Sequence, residues 1–224
     1  MFSVIFEVNR KPDQQDEYLK QAKHLKPILE TIEGFIDNER FESQLRPGWL
    51  LSHSTWRDEK SLVRWRTQSD HHGVQEKGRF EIFQDYHLRV GEIVADTAPP
   101  AGPSPGEQRL DETESSEAKF ATFTEITPAD PACFAVQPPM IPAHVGLASA
   151  CPGLLGHDVF KSINTPGKLA LLCSWKSAAE AKSWKPASLE GAAQFRHRVV
   201  RVVRDYGMFD RREAPQYYRD VKQC

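Results

Sequence analysis

The chain has 224 residues, a net charge of −2 at neutral pH and 39% hydrophobic residues. That length allows two modest domains with cores of their own. No basic stripe of the kind that binds nucleic acid is evident, and no apolar run approaches the roughly 20 residues of a membrane helix, so neither partner is expected.

Phe2, Val4, Phe6 and Val8 alternate with Ser3, Ile5 and Glu7, which predicts a strand with one wetter face. Lys11-Pro12-Asp13 turns the chain into a helix whose apolar face carries Tyr18, Ala22, Leu25, Leu29 and Ile32. Pro27 should kink or break that helix, and Gly34 suits its C-terminus. Residues 35–43 and 49–56 form a hairpin turned at Pro47-Gly48. Asp58-Glu59 caps a second helix, with Leu62 and Trp65 on its inner face and Arg66 at the margin of that face. This helix should break near Ser69 and resume through His72 to Lys77. A final strand over 80–90 places Ile82, Gln84, Tyr86, Leu88 and Val90 on one face and Phe83 on the other. The order β-α-β-β-α-β is the ferredoxin-like motif, a four-stranded antiparallel sheet under two helices.

Residues 97–118 are rich in Pro, Gly, Ser and acid and read as a linker. Beyond them the framework recurs. Pro47-Gly48, Phe41, Ser43, Trp56 and Trp65 have counterparts in Pro166-Gly167, Phe160, Ser162, Trp175 and Trp184, each 119 residues on. Asp85-Tyr86 matches Asp205-Tyr206 at 120. So long a period marks a duplicated domain, not a solenoid. The copies are expected at 1–96 and 119–209, with a polar tail over 210–224 packed along the outside. Prolines 128, 131, 138, 139 and 142 leave only short helical pieces in the second copy. A sheet with helices on one face must bury its other face, and the second copy is the natural partner. The fold class is therefore α+β, with two ferredoxin-like units closing into one barrel within the chain. Further homo-oligomerisation stays open.

Cys133, Cys151, Cys173 and Cys224 form no CxxC pair, so neither a disulfide scaffold nor a zinc site is expected. Met1 leads directly into the first strand without the flanks of a signal peptide, and a cytoplasmic location is the default.

The succession of Gly-Phe, Arg-Phe, Pro-Gly, Ser-x-x-x-Trp, Asp-Glu, Trp-Arg, His-His and a final Asp-Tyr strand resembles the antibiotic biosynthesis monooxygenase family, among the dimeric α+β barrel proteins. The likeness covers residues 1–95, with a degenerate copy over 119–209. It implies one of three functions. The first is a cofactor-independent oxygenase of a small aromatic or polyketide-like molecule, with its site in the first copy. The second is haem binding or degradation, and the third is a non-catalytic small-molecule binder or structural pseudo-dimer. Haem-degrading relatives use an asparagine on the first strand, a tryptophan and a histidine. Asn9 and Trp65 match the first two, but the histidine is expected near Gln75, and none stands there.

The candidate catalytic residues are His72, Trp65 and Asn9, and the candidate substrate-binding residues are His71, Tyr86 and Trp56. His71 and His72 have no counterpart in the second copy, which aligns Glu190-Gly191 with them. Histidine can move a proton near neutrality, which suits a base that ionises a substrate for attack by oxygen. Adjacent helical residues point about 100° apart, so only one of the two can face a cleft. Trp56 recurs in both copies and reads first as core, whereas Trp65 reads equally as core or as pocket wall. No metal ligand set is expected.

Overall fold

The computed structural model describes residues 1–132, 134, 136–148 and 150–222; Cys133 and Cys224 fall outside them. Its first half runs β1 (Phe2–Arg10), α1 (Gln15–Glu30), β2 (Phe35–Ser43), β3 (Trp49–Trp56), α2 (Glu59–Arg66), α3 (Ser69–Lys77) and β4 (Phe83–Asp96). The second half runs β5 (Phe120–Pro128), α4 (Ile141–His144), β6 (Leu154–Ser162), β7 (Leu169–Trp175), α5 (Ala178–Ser183) and β8 (Ala192–Gly207). Strand order around the ring is β1-β3-β2-β6-β7-β5-β8-β4, a closed antiparallel barrel. The two sheets therefore join edge to edge, and closure leaves no unpaired edge strand. At the β2–β6 seam Phe41 faces Ser162 while Ser43 faces Phe160, so counterparts pair reciprocally. Among the described residues no helix is long and apolar enough to cross a membrane.

Alternation along β1 divides two cores. Phe2 and Val8 pack outward among helix residues such as Leu29 and Tyr18. Ile5 joins Phe41, Leu51, Phe123, Phe160, Leu172 and Val200 in the barrel centre. The face expected to be wetter is in fact buried, with Ser3 and Glu7 at 0% and 4% exposure. Charge pairing explains this. Arg46 bridges Glu7 and Asp158, at 2.7 Å from the latter, and Arg89 closes on Glu7. The second half repeats the device. Lys168 bridges Glu39 and Glu125, at 2.7 Å from the latter, and Arg198 closes on Glu125. Ser43 donates to Asp158, and its counterpart Ser162 donates to Glu39.

Several local expectations change. Helix α1 runs unbroken through Pro27 to Glu30, because a proline this close to the C-terminus removes one hydrogen bond and leaves the earlier turns intact. Residues 78–82 form a π-helical turn, so β4 begins at Phe83. A register shift at Asn9/Arg10 brings Phe83 to the helix side, with Tyr18 and Tyr86. The match of Tyr86 to Tyr206 is not a structural one. Phe2 pairs with Trp56 as Phe120 pairs with Trp175, which fixes the equivalence. Six residues on, Val8 faces Tyr86 and Ile126 faces Phe195. Phe195 is thus the counterpart of Tyr86, and Tyr206 lies beyond it, paired with Leu88 of the first half.

The stretch 97–118 contains no helix or strand but is pinned to the barrel. Buried Glu92 accepts from the backbone N–H groups of Gln108 and Arg109 and pairs with Arg201, and Thr113 is buried against β8.

Glu7 carries a test. Burial raises its pKa, but Arg89, Arg46 and His87 outweigh that, and the net shift is downward from 4.5. A depressed folded-state pKa gives stability that is present above the unfolded value and lost as pH falls through the folded one. Glu7→Ala leaves Arg89 buried without its partner and is expected to cost about 3–5 kcal/mol, read from urea unfolding at pH 7. The variant's stability should also depend less on pH below about 4.5 than that of the parent.

Candidate functional site

Between the outer face of the first-half sheet and its helices lies a cavity of about 200 Å³. It exceeds the roughly 150 Å³ of a protein void that takes up benzene. Val4 and Phe6 of β1 and Leu88 and Val90 of β4 give an apolar floor. Leu25 and Leu29 of α1 and Leu62 and Trp65 of α2 give the roof. Polar groups stand at both sides, with Asn38, Arg40, Ser52 and Ser54 from β2 and β3 and Arg204 and Tyr206 from β8. The remaining wall is the tail, through Arg211, Pro215, Gln216 and Tyr218. The tail therefore closes the site instead of lying idle on the exterior. In the second half the corresponding layer is filled by Ile141, Val145, Leu147 and Trp184.

The structure brings three expected residues together: Trp65, His71 and Tyr86 all line the cavity. Separate helix phases decide between the histidines. Helix α3 starts afresh at Ser69, with Gln68 capping the His71 N–H. The His71 ring folds back so that Nδ1 lies 2.9 Å from the Trp65 carbonyl oxygen, and it stacks on the Trp65 indole at 4.1 Å. Because a carbonyl can only accept, Nδ1 carries the proton and Nε2 keeps its lone pair. Burial lowers the His71 pKa to about 4, against a smaller upward pull from the Trp65 carbonyl. The Tyr86 hydroxyl accepts from Arg79 at 3.2 Å and from Arg211.

Three expected residues lie elsewhere. His72 is exposed, and its ring stacks on Tyr218 at 5.5 Å with Nδ1 3.1 Å from the phenol oxygen. It packs against the tail and does not line the cavity, whereas His71 does. Asn9 alternates with Val8 and so leaves the helix side of β1, its Oδ1 lying against Gly48, whose φ of 85° the Pro-Gly turn requires. Trp56 is fully buried, donates to Ser54 Oγ at 2.9 Å and packs on Phe35, as core. Its counterpart Trp175 does the same with Thr122.

Arg204, Arg211 and Tyr218 have no signal in the repeat, since they belong to the overrun of β8 and to the tail; Tyr206 stands out there only through its match to Tyr86, which the strand register does not support. Arg66 did have one, beside Trp65 at the margin of the inner face.

Comparison with known proteins agrees with this architecture. The chain is 41% identical to jasmonate monooxygenase ABM of Pyricularia oryzae, over 97% of this chain and 98% of the relative. It belongs to the antibiotic biosynthesis monooxygenase family. The family model, described as antibiotic biosynthesis monooxygenase, matches residues 1–77. Among solved structures, an aldoxime dehydratase in complex with butyraldoxime covers 90% of this chain and 79% of its own, with a TM-score of 0.57 and 10% identity. That likeness concerns the fold alone. An antibiotic biosynthesis monooxygenase structure covers 44% of this chain and all of its own, at 19% identity and a TM-score of 0.37. Family membership makes this a monooxygenase-like protein.

If the tail is a wall of the cavity, removing residues 215–224 should admit solvent to Trp65. Acrylamide quenching of tryptophan fluorescence is expected to rise in that truncation, with little change in melting temperature. His72→Ala should give the same effect more weakly, by loosening Tyr218.

Proposed function

We propose that the protein is a monooxygenase acting on a small, largely apolar cyclic ketone of the jasmonate type, in the cavity of the first half. The observation that carries this reading is the cavity, apolar on floor and roof and polar at its sides, with Trp65, His71 and Tyr86 in its wall. The relative in Pyricularia oryzae, alike along nearly the whole of both chains, favours such a substrate over the aromatic polyketide expected from sequence.

Each group has a part to play. The Trp65 indole offers a flat apolar surface, held in place by the His71 ring stacked on it. Neutral His71 has a lone pair on Nε2 and can accept a proton from carbon beside a ketone. The resulting enolate is an anion, and arginines in the wall favour it. Oxygen adds to such an enolate to give a hydroperoxide after protonation. Reduction of that hydroperoxide to an alcohol takes two electrons and two protons from an external two-electron reductant such as a pair of thiols, which becomes a disulfide, and releases water. Helices, sheet and tail around the cavity limit the water that reaches these species.

Haem suits the site poorly. The position where haem-degrading relatives would place their histidine is Gln75, an amide in the cavity wall. Haemin is therefore expected to bind without a specific Soret shift.

The direct experiment is incubation with jasmonate under isotopically heavy oxygen gas, with and without a reductant, followed by mass spectrometry. The expected result is a product carrying oxygen from the gas, lost in the Trp65→Ala variant. With His71 as base, His71→Ala lowers kcat about 10²–10⁴-fold while the fold persists. Since His71 protonates only near 4, the rate should show no limb at the ordinary histidine value of 6.5. An unlabelled substrate after prolonged incubation would leave a binding protein.

A further inference from the structure

Five arginines line the cavity: Arg40, Arg66, Arg79, Arg204 and Arg211. Among the described residues none of them pairs with a carboxylate; Glu59, the acid in the wall, is taken by Arg109. They divide by what their donors do. Arg79 donates to the Tyr86 hydroxyl and the Met208 carbonyl, and Arg211 to the Tyr86 hydroxyl and the Gln216 carbonyl. Those two brace the tail. The guanidinium groups of Arg40, Arg66 and Arg204 donate no hydrogen bond among the described residues, and Nε of Arg40 and of Arg66 is buried without a partner; Arg40 stands apart from the other two, on β2.

Arg66 and Arg204 line the same cavity beside Tyr206. Both, with Arg211, act as neighbouring positive charges on the phenol of Tyr206. Burial and the adjacent Tyr86 nevertheless raise that phenol to about 12, so it remains a donor at neutral pH. Asp111, the carboxylate that feels Arg204, is itself bound by Arg109. Cations gathered at a partly dry wall repel one another, and each unpaired one is penalised by desolvation. An anion placed among them removes both costs, and the arginine fork matches a carboxylate.

The strand register shows where the rest of such an anion would lie. Arg204 faces Val90 and Tyr206 faces Leu88 on β4. Val90 then faces Val4, and Leu88 faces Phe6, on β1. The cationic edge is thus followed by two apolar strands, each step about 4.8 Å across the floor.

We propose that Arg66, Arg204 and the Tyr206 hydroxyl form a subsite for the substrate carboxylate, so that the protein takes free apolar acids and discriminates against their esters. This rests on the cavity being the substrate site, as above, and adds to it the chemistry that selects the substrate.

The test measures binding apart from turnover. Calorimetric titration of the full chain uses jasmonate, methyl jasmonate and, as a carboxylate of unrelated skeleton, octanoate. The wild type should bind at least one of the two acids about tenfold or more tightly than its methyl ester. Arg204→Gln and Arg66→Gln should each remove most of that preference and leave ester binding unchanged, with melting temperatures confirming that the variants are folded. Tyr206→Phe should reduce the preference less. Equal binding of acid and ester, failure of both acids to bind, or equal weakening of both forms by the arginine variants would overturn the subsite. Acid binding that depends on both arginines, without any oxidised product, would uphold the subsite and reject the monooxygenase reading instead.

Discussion

The interior of this barrel is closed over ions. A ring of eight strands has room inside for side chains alone, and the middle of that space is filled by Ile5, Phe41, Phe123 and Phe160. Towards each end, buried charges are paired: Glu7, Asp158 and Arg89 with the half-buried Arg46, and Glu125 and Arg198 with the partly buried Glu39 and Lys168. Each cluster draws on strands of both halves, so neither half can satisfy its buried charges alone. Apolar residues of similar volume could fill such a space with equal or greater stability. What the ion clusters add is a single acceptable register, because a slip of one residue would turn every inward group outward and leave its partner bare.

Inside the barrel the two halves remain nearly symmetric, and outside it they diverge. Trp56 and Trp175 still perform the same task under the helices, each giving its N–H to a hydroxyl. Trp65 and Trp184 do not. In the first half the layer between sheet and helices is held open by a long α1 and a separate α3. In the second, the proline-rich replacement for that helix collapses onto Trp184 and fills the space. Divergence is concentrated where packing faces one half only, and similarity where the two halves must fit each other.

Much of this was legible in the sequence, and the losses have physical causes. Strand and helix order followed from periodicity, because apolar spacing is local. The buried tryptophans followed from their recurrence at a fixed offset. Glu7 escapes a reading of the strand alone, because an acid in an alternating strand ordinarily faces water and its partners Arg46 and Arg89 lie far along the chain. His71 was passed over for His72 because a short helix interrupted at Ser69 sets its own phase, which no pattern of two or three apolar residues can reveal. Asn9 failed by a single step of alternation. Tyr206 matches Tyr86 by a shared Asp-Tyr pair 120 residues on, whereas hydrogen-bond register makes Phe195 the equivalent. The tail has no periodicity to read, and its closing of the cavity is visible only once β8 is placed beside β4.

That placement bears on how a fused pair of domains can evolve. The last strand of the second half overruns its own sheet and lends Arg204 and Tyr206, with the tail behind them, to the cavity of the first. In a symmetric pair of separate chains, any change to such a loaned wall would alter two cavities at once. Within one polypeptide the loan runs in a single direction. The donor can be reshaped by mutation for its neighbour's benefit alone, and its own former pocket, released from use, can be filled to make a firmer support.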